Sequence, residues 1–253
     1  MPIAAHSKAS RRLDVVLVER GLAVSRARAR DLIRRGLVEV AGAVETKAGA
    51  AVATEAEVRV AAGAADRVSR GAPKLIAALE HFRFSALGVT ALDVGASTGG
   101  FTQVLLERGA ARVYAVDVGH GQLHAQLAED SRVVALERCD ARSLDRTRIP
   151  EPVGAIVADV SFISLTKALP AALALAADPA WLVALIKPQF EAGRAAVGRG
   201  GIVRDPAARE RAVSLVRDWM AAQSGWQVMG VIPSPIAGGS GNQEFLLGAV
   251  RGG

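Results

Sequence analysis

The chain has 253 residues, 51% of them hydrophobic, with a formal net charge of +6 and one cysteine. That length holds one large α/β domain with a small module, or two modest domains, and the apolar share excludes a mainly disordered chain. A single thiol, Cys139, excludes an internal disulfide framework and a cysteine-based metal cluster, and it points to the cytoplasm. The charge is unevenly placed. Residues 1–40 hold nine Lys/Arg against four Asp/Glu, so five of the six net charges sit there. A basic end on a near-neutral body suits a polyanionic partner; a solvated charged face is the simpler alternative.

Residues 1–10 lack the apolar core of a secretory signal. Residues 12–21 place Leu13, Val16 and Leu17 at helical spacing and stop at Gly21. Ser25 is suited to cap a second helix over 26–35, whose apolar stripe is Ala29, Leu32 and Ile33. On that helix Arg26, Arg30 and Arg34 recur every fourth residue, flanked by Arg28 and Arg35. Like charges at that spacing repel, so the pattern calls for an anion to neutralise them. Gly36 ends the helix, and short strands are expected at 38–40 and 58–60.

Small and polar residues at 61–70 mark a boundary. Beyond it, apolar β-type runs at 91–94, 113–117, 133–136, 155–160, 181–187, 228–232 and 245–250 alternate with helical stretches at 101–108, 122–128, 165–177 and 207–222. This alternation predicts a mostly parallel sheet with helices on both faces. Pro233, Pro235 and several glycines join the last two strands, which predicts a hairpin-like antiparallel edge strand. The apolar run 168–186 has the length of a membrane span, but Pro170, Asp178 and Pro179 interrupt it. It reads as a helix followed by a buried strand.

The segment Asp93-Val94-Gly95-Ala96-Ser97-Thr98-Gly99-Gly100-Phe101 follows the first strand of that series and opens a helix. Glycine there lets backbone approach a ligand without a side-chain clash. A phosphate loop needs Gly-Lys-Ser/Thr, which is absent. The dinucleotide fingerprint needs three glycines in register, and Ser97 occupies the second place. S-adenosylmethionine carries no phosphate, and its enzymes favour an acid at the loop start and another after the second strand. Asp93 and Asp117 fit. Asp117 is placed to accept from ribose hydroxyls and Asp140 to reach an adenine amine. A bare turn remains the alternative for the loop taken alone.

These residues resemble a known family. Val68-Ser69-Arg70-Gly71 leading to Lys74, the loop 93–101, the segment 116–123, and Ala158-Asp159-Val160-Ser161-Phe162-Ile163-Ser164-Leu165 are similar to those of the TlyA (haemolysin-A-like) ribosomal RNA 2′-O-methyltransferases. So are Ile186-Lys187-Pro188-Gln189-Phe190-Glu191, the segment 201–206, and Gly241-Asn242-Gln243-Glu244-Phe245. The resemblance implies a Rossmann-like class I methyltransferase over 71–253, similar to FtsJ. It also implies a linker at 61–70 and an α+β RNA-binding domain of the αL type over 1–60. There are three departures: Ala41 precedes Gly42 where the αL turn usually has Asn, Gly71-Ala72-Pro73 stands where the segment before Lys74 is usually richer in glycine, and His120 stands where an aromatic is common.

Carried onto this sequence, the resemblance implies a catalytic tetrad of Lys74, Asp159, Lys187 and Glu244. A ribose 2′-hydroxyl is a poor nucleophile until deprotonated, and a lysine near another cation or partly desolvated is able to act as base. Lys187 is the candidate base. Lys74 is expected to aid it and to stabilise the developing alkoxide, with Asp159 and Glu244 orienting the lysines. Singly, each has a plainer reading as a surface lysine, a helix cap or an edge-strand acid.

The cofactor site is expected at Asp93, Gly95, Ala96, Ser97, Thr98, Gly99, Gly100, Phe101, Asp117, Val118, Asp140 and Asp159. RNA contacts are expected from Arg11, Arg12, Arg20, Arg26, Arg28, Arg30 and Arg70. The partner is ribosomal RNA or a ribosomal subunit, with no membrane and no obligate protein partner. His120 and His124 have metal-like spacing but no third ligand, so no metal is expected. Cys139 reads as a small buried hydrophobe.

Three other functions compete. They are a non-catalytic RNA-binding or ribosome-assembly protein, a membrane-active haemolysin, and a base methyltransferase. The intact tetrad opposes the first, and the lack of a membrane-active helix opposes the second. The absence of an Asn/Asp-Pro-Pro-aromatic or Pro-Cys motif opposes the third.

Overall fold

The computed structural model describes residues 10–23, 25–34, 36–60, 68–69, 71–238 and 241–252. The expected linker 61–70, apart from Val68 and Ser69, lies outside the described residues, as do residues 1–9, Arg35 and the RNA-binding candidate Arg70. The contacts divide the chain into two units, Met1–Arg67 and Val68–Gly253.

The first unit runs β1 (Ser10–Arg12), α1 (Leu13–Glu19), α2 (Arg26–Arg34), β2 (Val38–Val40), β3 (Ala43–Val44), β4 (Ala51–Ala53) and β5 (Val58–Val60). β1 pairs with β4, and β2 lies between β3 and β5, all antiparallel. Leu13, Val16 and Leu17 of α1 meet Ala29, Leu32 and Ile33 of α2 in one small core. The turn Ala41-Gly42 has positive φ at both residues, 50° and 79°. Ala41 thus takes the left-handed conformation that Asn tolerates more easily.

The anion that the arginine spacing calls for lies inside this unit. Asp14 is fully buried, and its carboxylate accepts from Arg12 Nε at 3.0 Å, Arg26 Nη2 at 3.0 Å and Arg30 Nε at 3.1 Å. Other arginines among the described residues also have internal partners. Arg11 bonds Glu19, Arg28 bonds Asp31, and Arg20 donates to the carbonyls of Thr54 and Ala56.

The second unit begins with α3 (Ala72–Phe82), β6 (Thr90–Val94), α4 (Gly100–Glu107), β7 (Arg112–Val116), α5 (Ala125–Ala128), β8 (Val133–Leu136) and β9 (Val153–Ala158). It continues through α6 (Leu165–Ala168), α7 (Pro170–Ala174), β10 (Ala176–Ile186), α8 (Pro188–Glu191), α9 (Pro206–Ala221), β11 (Trp226–Pro233) and β12 (Phe245–Arg251). Seven strands form one sheet in the order β11-β12-β10-β9-β6-β7-β8. Its central strands are parallel and buried on both faces, which is why they read as near-continuous apolar runs. Leu92, Ile156 and Leu182 pack on one face, Ala91, Val157 and Val183 on the other.

Four expectations need correction. The antiparallel strand, β12, lies between β10 and β11, so the edge is β11. The expected helix 165–177 breaks at Pro170, which lacks an amide donor and starts a new turn, and β10 begins by Ala176. The expected helix 122–128 shrinks to Ala125–Ala128. Helix α3 was not expected; Gly71, Pro73 in its first turn, and Leu75, Ala78 and Leu79 at helical spacing are its signature.

Arg12 most, with Arg26 and Arg30, holds the Asp14 carboxyl well below the usual carboxylate range, against the upward push of burial. A depressed folded-state value gives stability that is present above the ordinary carboxylate pKa, about 4, and lost as pH falls below it. Asp14→Asn is therefore expected to reduce amide-exchange protection in α1 and α2 at pH 7, and to remove part of this unit's acid sensitivity below about pH 4. Equal protection in the two chains at neutral pH would contradict this.

Candidate active site

Register alone brings the predicted residues together. Val94 of β6 stands opposite Val116 of β7 and Ala158 of β9, so Gly95, Asp117 and Asp159 leave neighbouring strands at one edge of the sheet. Ile186 of β10 stands opposite Phe245 of β12, which puts Lys187 and Glu244 at that same edge. The order of strands reverses between β6 and β9, and ligands of open α/β sheets bind at such a switch point.

Gly95 has φ +84°, and a Cβ there would lie 2.6 Å from the Asp159 carbonyl oxygen. Only glycine lets the loop after β6 touch the loop after β9 in this way. Gly100 does the same for the start of the unit, because a Cβ there would collide with Ser69 Oγ. Asp117 then fixes the loop: its carboxylate accepts from the Ser97 amide at 2.8 Å and the Gly119 amide at 2.7 Å. Each oxygen keeps a lone pair for a further donor.

Two cavities open at this edge. The larger, about 1240 Å³, has Asp117, Val118, Asp140, Val160, Phe162 and Gln189 among its walls. Val118, 71% exposed, adds an apolar side chain to the wall of this cavity. Asp140 also lines it, but its carboxylate already accepts from the Arg142 amide and guanidinium, which pull its pKa down to about 2. Cys139 is buried, as expected, yet it also lines this cavity and its Sγ accepts from Arg148 Nη1 at 3.0 Å.

The smaller cavity, about 320 Å³, is lined by Lys74, Asp93, Asp159, Lys187 and Glu244, and by Ala96, Thr98, Gly100 and Phe101 of the loop. Gly95, Ser97, Asp159 and Ser161 line both cavities. Gly99, with φ +95°, is the remaining loop candidate; a Cβ there would strike Leu127. The four tetrad side chains form two ion pairs. Lys74 Nζ lies 2.5 Å from Glu244 Oε2, both nearly buried, and Lys187 Nζ lies 2.6 Å from Asp159 Oδ1.

Asp93 stands apart from the rest. It is fully buried, its Oδ2 accepts from Thr102 Oγ1 at 2.6 Å, and its Oδ1 has no partner. Burial pushes its pKa up to about 7, with the Thr102 bond opposing and the Asp159 and Asp117 charges adding. His120 bonds Glu137 at 2.8 Å. Among the described residues no three His, Cys, Asp or Glu side chains gather as a metal site.

The reading of the sequence missed Ser161 and Phe162. Ser161 Oγ accepts from Lys187 Nζ at 2.8 Å. Phe162 is 91% exposed with φ 67°, and its ring meets Phe190 at 5.2 Å between centroids. A left-handed, solvent-facing aromatic is rare enough to mark a functional loop. Both residues lie in the Asp159–Leu165 segment that carries the resemblance, but nothing in their spacing separates them from a plain turn.

Residues 67–251 match the FtsJ-like methyltransferase family, and residues 11–58 match the S4 domain family. The 16S/23S rRNA (cytidine-2′-O)-methyltransferase TlyA of Mycobacterium tuberculosis is 48% identical over 93% of this chain and 88% of its own. Hemolysin A of Brachyspira hyodysenteriae is 39% identical over 93% of this chain and 98% of its own. A Streptococcus thermophilus structure that carries a hemolysin name superposes with a TM-score of 0.72, at 38% identity, over 97% of this chain and 90% of that one. At 16% identity, the O-methyltransferase of Bacillus cereus shares the fold of the second unit with a TM-score of 0.50, over 73% of this chain and 82% of its own. With this sheet order, this paired-lysine edge and these relatives, the chain belongs to the TlyA family of FtsJ-like methyltransferases that carry an S4 domain.

Proposed function

We propose that this chain transfers a methyl group from S-adenosylmethionine to the ribose 2′-hydroxyl of a cytidine in ribosomal RNA. The observation that carries this reading is the pair of joined cavities. The larger fits the donor: a loop kept open by Gly95, an acceptor at Asp117, apolar walls including Val118, and Asp140 among its lining residues. The smaller presents two lysines, each held by its own carboxylate. When bound, S-adenosylmethionine supplies a methyl already activated by its sulfonium, so the protein's remaining task is to prepare and aim the oxygen.

Lys187 takes the proton from the 2′-hydroxyl. Asp159 and Ser161 hold its Nζ at the shared wall of the two cavities. Lys74, locked by Glu244, presents a fixed positive charge to the alkoxide as it forms. The low exposure of both lysines keeps water from competing for that charge. Asp93, with its strongly raised pKa and buried Oδ1, serves as a support of the loop through Thr102.

The S4 domain holds the RNA. Arg12, Arg26 and Arg30 are each about half exposed around Asp14, so their free guanidinium edges are able to meet phosphate while the buried carboxylate keeps them in place. Arg11 and Arg28 flank them, and Arg70 adds a charge before α3. Arg20 serves the fold first, since it holds two carbonyls. A ribosomal RNA substrate places the enzyme in the cytoplasm. A lytic role finds no support in the helices: among the described residues, none is long and apolar enough to cross a membrane.

Asp117→Ala is expected to weaken S-adenosylmethionine binding by about 1.5–3 kcal/mol, the worth of hydrogen bonds to a charged group, with the fold intact. A calorimetric titration with wild-type affinity would reject the donor site. Lys187→Ala is expected to abolish methyl transfer with donor and RNA binding nearly unchanged, because the lost interaction is made chiefly in the transition state. Lys187→Arg should fail as well, since Arg keeps the charge but does not give up its proton at working pH. Retained activity in Lys187→Arg would reduce Lys187 to a clamp; retained activity in Lys187→Ala would remove the tetrad assignment.

A further inference from the structure

We propose that Ser161 is a positioning residue for Lys187, a fifth member of the site that aims the base at the 2′-hydroxyl. The inference rests on the tetrad reading above. Its basis is the geometry at Lys187 Nζ, which donates to two acceptors at once, Asp159 Oδ1 at 2.6 Å and Ser161 Oγ at 2.8 Å. An amine nitrogen has four tetrahedral positions. One is the bond to Cε, and Asp159 and Ser161 occupy two more. The fourth is left free at the smaller cavity, which Lys187, Asp159 and Ser161 all line.

The two acceptors differ in what they hold. Asp159 binds the ammonium form strongly, because opposite charges attract and the hydrogen bond is charge-assisted. The ion-pair part of that attraction is lost once the nitrogen is neutral, which is the state in which a base must work. A hydroxyl oxygen accepts an N–H from either form. Ser161 therefore keeps Nζ in place in the reactive state, when the grip of Asp159 is weakest.

The surrounding structure fixes Ser161 where this needs it. Phe162, at φ 67°, turns the chain immediately after it. The turn is then tied to α8, the helix that starts directly after Lys187. Glu191 of α8 accepts from Ser164 Oγ at 2.5 Å and from the Leu165 amide at 2.8 Å, and the Phe190 ring packs on Phe162. Burial pushes the Glu191 carboxyl up and these two bonds oppose it. Ser161 and Lys187 thus sit on two segments clamped to each other, so their contact is built into the fold although Ser161 itself is exposed.

The test compares Ser161→Ala, Ser161→Thr and Lys187→Ala in the full chain, with tritium-labelled S-adenosylmethionine and ribosomal subunits from cells lacking this methyltransferase. Ser161→Ala should lower kcat by about tenfold or more, with KM for the subunits and calorimetric affinity for the donor within about twofold of wild type. The pH profile of kcat should keep its position in Ser161→Ala while its height falls, because a hydroxyl that accepts from both forms of the base aims it without resetting its protonation. Ser161→Thr, which keeps the hydroxyl, should recover most of the rate. Wild-type kcat in Ser161→Ala across about pH 6 to 9, with Lys187→Ala inactive, overturns the role of Ser161 and leaves the tetrad standing. Equal loss in Ser161→Thr and Ser161→Ala also overturns it, since packing and not the hydroxyl would then be at stake. An active Lys187→Ala overturns the tetrad reading, and this proposal with it.

Discussion

The site depends on one close approach, that of Gly95 to the carbonyl of Asp159. The loops after β6 and β9 must touch there, and a single Cβ would stand 2.6 Å from that oxygen. This contact sets the shared wall of the two cavities, because Gly95 and Asp159 each line both. Everything that follows in the chemistry is measured from that wall. The glycine-rich loop leaves it toward Asp117, and the Asp159 carboxylate reaches from it to Lys187. A parallel sheet with its order reversed between β6 and β9 is the architecture that delivers two such loops to one point.

Charge is handled in the same manner in both units: cations are placed by buried or half-buried carboxylates before any ligand arrives. Asp14 gathers Arg12, Arg26 and Arg30 in the S4 domain. Glu244 and Asp159 take one lysine each in the catalytic unit. Holding a long side chain in one place beforehand reduces the ordering that binding would otherwise require. The two lysine pairs are not equivalent. Lys74 and Glu244 are nearly buried and fixed, whereas Asp159 is more exposed and shares Lys187 with a hydroxyl.

Much of this was legible in the sequence, for physical reasons. All seven strands of the large sheet stand out as apolar runs, the central ones because strands buried on both faces must be apolar along their length. The donor loop and Asp117 were readable because glycine and a carboxylate are needed at fixed places after successive strands. The tetrad, by contrast, came from resemblance; no spacing rule joins Lys74 to Glu244 across 170 residues of sequence. What stayed hidden were relations between neighbours in space. The arginine spacing called for an anion but could not say that Asp14 supplied it. Helix α3, eleven residues long, was missed because Gly71 and Pro73 at its start belong as readily to a turn, and the break at Pro170 was absorbed into a longer apolar run. Ser161 is a serine in a turn until its distance to Lys187 is known.

The central claim is that this site methylates ribose oxygen in ribosomal RNA. The most direct measurement is to incubate the purified chain with S-adenosylmethionine and unmethylated ribosomal subunits, and to map every new methyl group by mass spectrometry of nuclease fragments. The account predicts new methyl groups on the 2′-oxygen of cytidine. Methyl groups on base atoms, or none at all from a chain that binds the donor, would contradict it.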